Sequence, residues 1–151
     1  GVPAAQAGWW LMGFGVVGML GNSLAGRIVD RSPLGATVLL LVILAIGMGA
    51  VAPVVGNPAL LLIALALWGV AYTALFPVCQ VRVMQAGAKA QALAGTLNVS
   101  AANGGIAVGA ALGGLVIQWY GTAALGYVAS AVAGLAVLAT LLLMAGARPR
   151  A

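Results

Sequence analysis

Long apolar stretches separated by short charged segments define the organisation of this chain. The uncharged run 32–81 would be about 75 Å long as a single helix, whereas the hydrocarbon core of a bilayer is about 30 Å thick. This run must therefore fold back once. Proline, glycine and asparagine, the residues typical of turns, cluster near its middle in the segment Pro53-Val54-Val55-Gly56-Asn57-Pro58.

The second uncharged run, 90–147, is also too long for one crossing, and the segment 118–122 offers its turn. The pattern therefore predicts an all-α polytopic membrane protein with short connections and antiparallel neighbours. Its five transmembrane spans are expected at about 7–26, 35–52, 58–80, 91–117 and 123–146. At the start of the second span, Ser32 and Pro33 form a good N-cap and first helical position.

The charged residues predict the orientation of these spans. They fall into three groups, which are Arg27, Asp30 and Arg31, then Arg82 and Lys89, then Arg148 and Arg150. Every basic residue thus follows the first, third or fifth span, and the positive-inside rule places those connections in the cytoplasm. We expect a multi-pass protein of the cell membrane, with the N-terminus of this segment outside and its C-terminus cytoplasmic. The outer ends carry the aromatic residues of an interfacial belt, Trp9, Trp10, Trp119 and Tyr120.

The composition agrees with a membrane protein and excludes several functions. Hydrophobic residues make up 64% of the chain and charged residues 5%, against about 25% charged residues in a soluble domain. There is no histidine, one acidic residue and one cysteine, Cys79. Acid–base catalysis, nucleophilic triads and metal sites need more of these residue types. We therefore expect no enzyme activity, no metal or other cofactor, and no nucleic-acid partner; the lipid bilayer is the evident partner.

The spans differ in polarity. The second and fifth are apolar nearly all round, which is typical of peripheral helices that face lipid. The first, third and fourth contain polar or amphipathic residues, which are Asn22, Trp68, Tyr72, Gln80, Asn98, Ser100 and Asn103. Polar side chains are costly against lipid, so these three spans are predicted to be inner helices.

The fourth span has two distinct faces on a helical wheel. One carries Thr96, Ser100, Asn103 and Ala107; the opposite one carries Asn98, Gly105, Gly109 and Gly113. The three glycines form a small-residue ridge that lets another helix approach closely. Ser100 and Asn103 either line a substrate cavity or form hydrogen bonds between helices, and both interpretations stay open.

Three aromatic residues of the third span recur every four positions. Trp68, Tyr72 and Phe76 therefore share one side of the helix near mid-membrane depth. They are interpreted either as aromatic packing or as a wall of a binding cavity, where an aromatic ring offers apolar area with a polar handle.

The segment Gly21-Asn22-Ser23-Leu24-Ala25-Gly26-Arg27-Ile28-Val29-Asp30-Arg31 resembles the G-x-x-x-D-R signature of the major facilitator superfamily. The family's basic pair a few residues later is replaced by Leu34-Gly35. The resemblance implies that Gly26, Arg27, Asp30 and Arg31 form a cytoplasmic gate, or latch, that bonds to a helix end in the other half of a carrier. Alternatively, the two arginines anchor the loop inside and Asp30 is a local partner or cap.

A second resemblance covers 97–114, which is similar to the eleventh helix of bacterial drug and sugar efflux carriers, and 68–84, which is similar to their tenth helix. These carriers are arabinose-efflux-permease-like members of the drug:proton antiporter group. The likeness extends over nearly the whole chain as helices eight to twelve, most of the C-terminal six-helix bundle. It implies alternating access, efflux of a small-molecule substrate, and an N-terminal half of the same transporter as partner. The chain is then expected to be a fragment.

None of the five predicted spans contains a carboxylate or a histidine. If transport is proton-coupled, the titratable group is therefore expected in the N-terminal half. The alternative function is a free-standing membrane scaffold or assembly subunit without transport activity.

Overall fold

The computed structural model describes residues 4–146, and these residues form five long helices. They are α1 (Ala4–Val29), α2 (Pro33–Val54), α3 (Pro58–Ala86), α4 (Gln91–Tyr120) and α5 (Thr122–Gly146), with a 3-10 helix (Ala88–Ala90) before α4. The all-α fold predicted from the sequence is thereby confirmed. The third charged group, Arg148 and Arg150, and the side chain of Trp10 lie outside the described part of the chain.

Four of the described helical segments are long and apolar enough to cross a membrane. They are Pro33–Val54, Pro58–Ala86, Ala88–Tyr120 and Thr122–Gly146. In α1 the corresponding apolar stretch, Gly15–Val29, is shorter. Length and composition thus support four of the five expected spans, and the first one stays a prediction.

Side-chain caps begin both α2 and α3, and the one at Ser32 is the cap that the sequence predicts. The Ser32 hydroxyl accepts a hydrogen bond from the Gly35 N–H at 3.1 Å, and Pro33 is the first helical residue. Asn57 acts in the same way for α3, because its Oδ1 accepts from Ala59 N–H at 3.1 Å and Leu60 N–H at 3.2 Å. These acceptors satisfy backbone donors that have no partner within the helix.

The turns between helices are shorter than the sequence suggests. Pro53 does not break α2 but lies in its last turn, so that only 55–57 connect α2 to α3. At the end of α4 the expected turn over 118–122 contracts to Gly121 alone, whose φ of 79° is favoured by glycine. Each helix therefore continues until a residue can cap or reverse the backbone.

Helix α2 lies between α3 and α5, while α1 packs on α3, and α4 contacts α3 and α5. Helix α2 buries one face, which consists of Ala36, Thr37, Leu40, Leu41, Leu44 and Gly47. Its other face exposes Leu39, Val42 and Ile46. One side of α2 is thus packed on two helices of this chain, and contact of the exposed side with lipid stays a prediction.

Small residues bring α1 and α3 into backbone contact. The buried residues among the described side chains of α1 are Gly18, Gly21, Ala25 and Val29. A Cβ atom added at Gly21 would lie 2.8 Å from the carbonyl oxygen of Val70, which is too close for any side chain. Further towards the C-terminal end of α1, Ala25 and Val29 pack against Ala74 and Val78 of α3. This interface is the close helix contact that small residues permit in membranes.

Candidate functional site

The two described charged connections lie at the same end of the helix bundle. Arg82, near the end of α3, donates a hydrogen bond from Nη1 to the Thr37 hydroxyl at 3.0 Å. Thr37 lies just past the first turn of α2, a few residues after Arg31, and is 3% exposed. The charge pattern predicts a common side of the membrane for these connections, and this contact places them together. Which side of the membrane this is stays a prediction.

The gate motif at this end is open to its surroundings. Helix α1 ends at the buried Val29, and Asp30 and Arg31 form the turn that follows. Gly26, Arg27, Asp30 and Arg31 are all exposed. A Cβ atom built on Gly26 would meet nothing within 4 Å among the described residues. The motif is therefore accessible to a partner, and its latch role stays a prediction.

The structure separates the three aromatic residues of α3. Trp68 is partly buried and packs against the cluster of Leu44, Ala71 and Ala133, which joins α2, α3 and α5. Tyr72 and Phe76 are 55% and 47% exposed. A spacing of four residues advances about 40° beyond a full turn, so the row drifts away from the packed side. Trp68 thus belongs to helix packing here, whereas Tyr72 and Phe76 remain candidates for a cavity wall.

Burial along α4 follows the two faces of the helical wheel. The residues of α4 that are buried or half-buried are Ala94, Gly95, Asn98, Ala102, Gly113 and Val116, and they lie on the glycine side. Ser100 and Asn103, on the opposite side, are exposed. The described helices thus leave the polar face of α4 uncovered, together with the middle of the glycine side around Gly105 and Gly109.

The glycine ridge of α4 is only partly used within this chain. A Cβ atom added at Gly113 would contact Leu125 of α5 at 3.4 Å. At Gly105 and Gly109 it would meet nothing within 4 Å in the described residues. Close packing at these two positions therefore stays a prediction and concerns a helix other than those described.

An amide pair ties α3 to α4 at the basic end of the bundle. Asn98 donates from Nδ2 to Gln80 Oε1 at 2.7 Å. Gly95, one turn earlier in α4, leaves room for this amide, because a Cβ there would lie 2.8 Å from Gln80 Nε2. The sequence marks both residues as polar groups of inner helices. It does not pair them, since which faces of two helices meet is a tertiary property.

A cleft of about 570 Å³ lies beside these contacts, between the start of α2, the end of α3 and the start of α4. It is lined by Pro33, Leu34, Cys79, Arg82, Val83, Gln85, Ala86 and Asn98. The sequence reasoning missed this cleft and the Arg82–Thr37 bond, because their residues are far apart in the chain. It also overlooked the Gly18, Gly21 and Ala25 series of α1, although that small-residue spacing is visible in the sequence.

The comparisons with known proteins agree with the membrane fold. A family model of the Major Facilitator Superfamily matches residues 1–151. The chain is 39% identical over 129 residues to the inner membrane transport protein YdhP of Escherichia coli O157:H7, and 38% identical over 129 residues to that of Escherichia coli strain K12. Each alignment covers 82% of this chain and 32% of the relative, so the chain spans about a third of the length of these curated relatives. No solved structure matches it. The chain belongs to the major facilitator superfamily.

Proposed function

We propose that this chain forms most of the C-terminal helix bundle of a secondary carrier that exports small molecules by alternating access. Membership in a family of membrane transporters supports transport in general. The observation that carries the proposal is the exposure of Ser100 and Asn103 on a long apolar helix. Export, the identity of the partner half and the coupling ion are further steps of the proposal.

The depth of these polar groups in α4 makes lipid an unfavourable neighbour. The 30 residues of α4 extend about 45 Å, which places Asn103 about 4 Å and Ser100 about 8 Å from the middle of the helix. An amide or hydroxyl in the hydrocarbon core is costly unless it faces other helices or a wet cavity. The described helices do not cover this face, so a cavity shared with a second bundle accounts for it best.

Helix α3 supplies a second part of such a cavity. Tyr72 is the middle residue of α3 and is exposed, as is Phe76 one turn further on. Their rings offer apolar area, and the Tyr72 hydroxyl adds a polar group. A cavity built from these rings and from the α4 amide would take small, uncharged or lipophilic substrates.

The remaining elements of the proposal follow from the charged end. The exposed motif of Gly26, Arg27, Asp30 and Arg31 would form a cytoplasmic latch with the N-terminal half of the same transporter. The basic connections would face the cytoplasm of the cell membrane. Asp30 is the one acidic residue of the sequence and lies in a connection. A coupling proton would therefore bind in the N-terminal half.

The test is transport by the protein that carries this chain, reconstituted in proteoliposomes with an imposed pH gradient and offered a panel of lipophilic drugs and sugars. Asn103→Leu keeps a side chain of similar size and removes the amide. Loss of one hydrogen bond to substrate, about 0.5–1.5 kcal/mol, should lower transport at limiting substrate roughly two- to tenfold. The control is Ile46→Ala on the exposed stripe of α2, which should transport normally.

Two results would contradict the proposal in different ways. Transport by Asn103→Leu equal to that of the original protein would exclude Asn103 from the cavity. A folded protein that moves no member of the panel in either direction would favour the scaffold or assembly function. Comparing rates with and without the pH gradient then decides whether protons are coupled to transport.

A further inference from the structure

We propose that the cleft between α2, α3 and α4 binds an amphiphilic phosphate. The phosphate would lie at Arg82, and the apolar chain would run along Pro33, Leu34 and Val83. This chemistry is available from a membrane phospholipid or from a soluble organic phosphate, and the test below distinguishes the two sources. The proposal goes beyond transport and does not depend on it.

The size and walls of the cleft suit such a ligand. Its volume of about 570 Å³ is within the range of small-molecule sites, about 300–1,000 Å³. Pro33, Leu34, Val83 and Ala86 make much of the wall apolar, and the polar groups come from Arg82, Gln85 and Asn98. An inorganic ion would leave these apolar surfaces uncovered, whereas an alkyl chain would bury them.

The guanidinium of Arg82 is held in place at the cleft. Its Nη1 donates to the Thr37 hydroxyl at 3.0 Å, and this hydroxyl in turn donates to the Pro33 carbonyl oxygen at 2.8 Å. The bond to Thr37 uses one of the five N–H donors of the guanidinium. Arginine recognises phosphate oxygens with paired N–H donors, which lysine cannot reproduce.

No acidic side chain of the described residues lines the cleft. Among the residues that the structure describes, Arg82 is the only charged one that lines it. The guanidinium lies beside the N-terminal turn of α2, which carries a partial positive charge of about half an elementary charge. The only acidic side chain of the sequence, Asp30, is exposed and is not part of the lining. The last turn of α3, Val83 to Ala86, also lines the cleft and carries a partial negative charge of similar size. The two helix ends therefore offset each other, and the charge that a bound anion would compensate is that of the Arg82 guanidinium.

Cys79 provides a probe, because the single cysteine of this sequence lines the cleft. The protein that carries this chain is purified in dodecyl maltoside, a phosphate-free detergent, and alkylated with N-ethylmaleimide. Mass spectrometry of the Cys79 peptide gives the rate at this thiol alone. The alkylation rate with added phosphatidylglycerol is compared with the rate with added diacylglycerol. In the same way, the rate with hexyl phosphate is compared with the rate with 1-hexanol. Each phosphate thus has a phosphate-free analogue.

We expect a phosphate ligand to slow alkylation of Cys79, about tenfold at nine-tenths occupancy, and its analogue to have little effect. Protection by phosphatidylglycerol alone identifies a phospholipid site. Protection by hexyl phosphate alone identifies a soluble organic phosphate, and protection by both shows that either source fills the cleft. Arg82→Gln should abolish the protection. Lys89→Gln removes an exposed charge at the same end and should preserve it.

Equal protection by the phosphate-free analogues, or none by either phosphate, overturns the proposal. So does protection that persists in Arg82→Gln. If that variant does not fold, the proposal is tested by comparing each phosphate with its phosphate-free analogue in the original protein. The assay reads neither transport nor its direction, so its outcome is separate from that of the proposed function.

Discussion

A single methyl group at Gly21 should push α1 away from α3. In Gly21→Ala the new Cβ would lie 2.8 Å from the Val70 carbonyl oxygen and 2.9 Å from Val70 Cα. Ordinary van der Waals contact begins at 3.4 Å, so the gap must widen by about 0.6 Å, the difference between 3.4 and 2.8 Å. Both opposing atoms are backbone atoms, and no rotamer change can relieve the contact.

The cost follows from what this displacement does to the interface. Ala25 is 3% exposed and Val29 8% exposed, and both pack against α3. A gap of 0.5–1 Å forfeits about a quarter to a half of the dispersion energy of each contact. Overpacking of this kind costs about 1–3 kcal/mol.

The matched control is Gly15→Ala in the same helix, where a Cβ would meet nothing within 4 Å among the described residues. Both variants share the gain in helix propensity, about 1 kcal/mol, so their difference isolates the steric term. The free energy of unfolding is measured in mixtures of dodecyl maltoside and sodium dodecyl sulfate. Gly21→Ala should be about 1–3 kcal/mol less stable than Gly15→Ala. Equal stability of the two variants would refute the α1–α3 contact described above.

Two further predictions concern a helix cap and the gate motif. Asn57→Ala removes the acceptor of two N–H groups and should lower the stability of the start of α3 by about 1 kcal/mol. Hydrogen exchange at the Ala59 and Leu60 amides should then accelerate roughly fivefold. The amide of Gly35, which Ser32 caps, is the control and should exchange at an unchanged rate. Unaltered exchange at α3 would show that the cap contributes nothing. Asp30→Asn removes the negative charge of the proposed latch. The loss of a charge-assisted hydrogen bond costs about 1.5–3 kcal/mol and should slow transport in proteoliposomes at least severalfold. Lys89→Gln is the control and should transport normally. Normal transport by Asp30→Asn would support the local-cap interpretation instead.

The sequence predicted which residue types belong to the candidate site, but not which of them contact one another. The polar and aromatic positions Tyr72, Ser100 and Asn103 stand out in the sequence, and the structure leaves all three exposed. Trp68 belongs to the same row, yet it packs against α2 and α5. The difference arises because residues spaced by four positions shift gradually around the helix. The positions of the neighbouring helices therefore determine which of these side chains are buried.

The sequence by itself determined the helices, their order and their common basic end. These properties depend on local quantities, namely the length of apolar runs, the turn residues of 53–58, the cap at Ser32 and the spacing of charges. Only the tertiary structure decided that, among the described residues, Gly21 rather than Gly105 brings two backbones into contact, and that Arg82 reaches Thr37. In a membrane, a face that meets lipid and a face that meets another helix are both apolar. Hydropathy cannot distinguish them, so the pairing of faces follows from shape, which the assembled helices alone define.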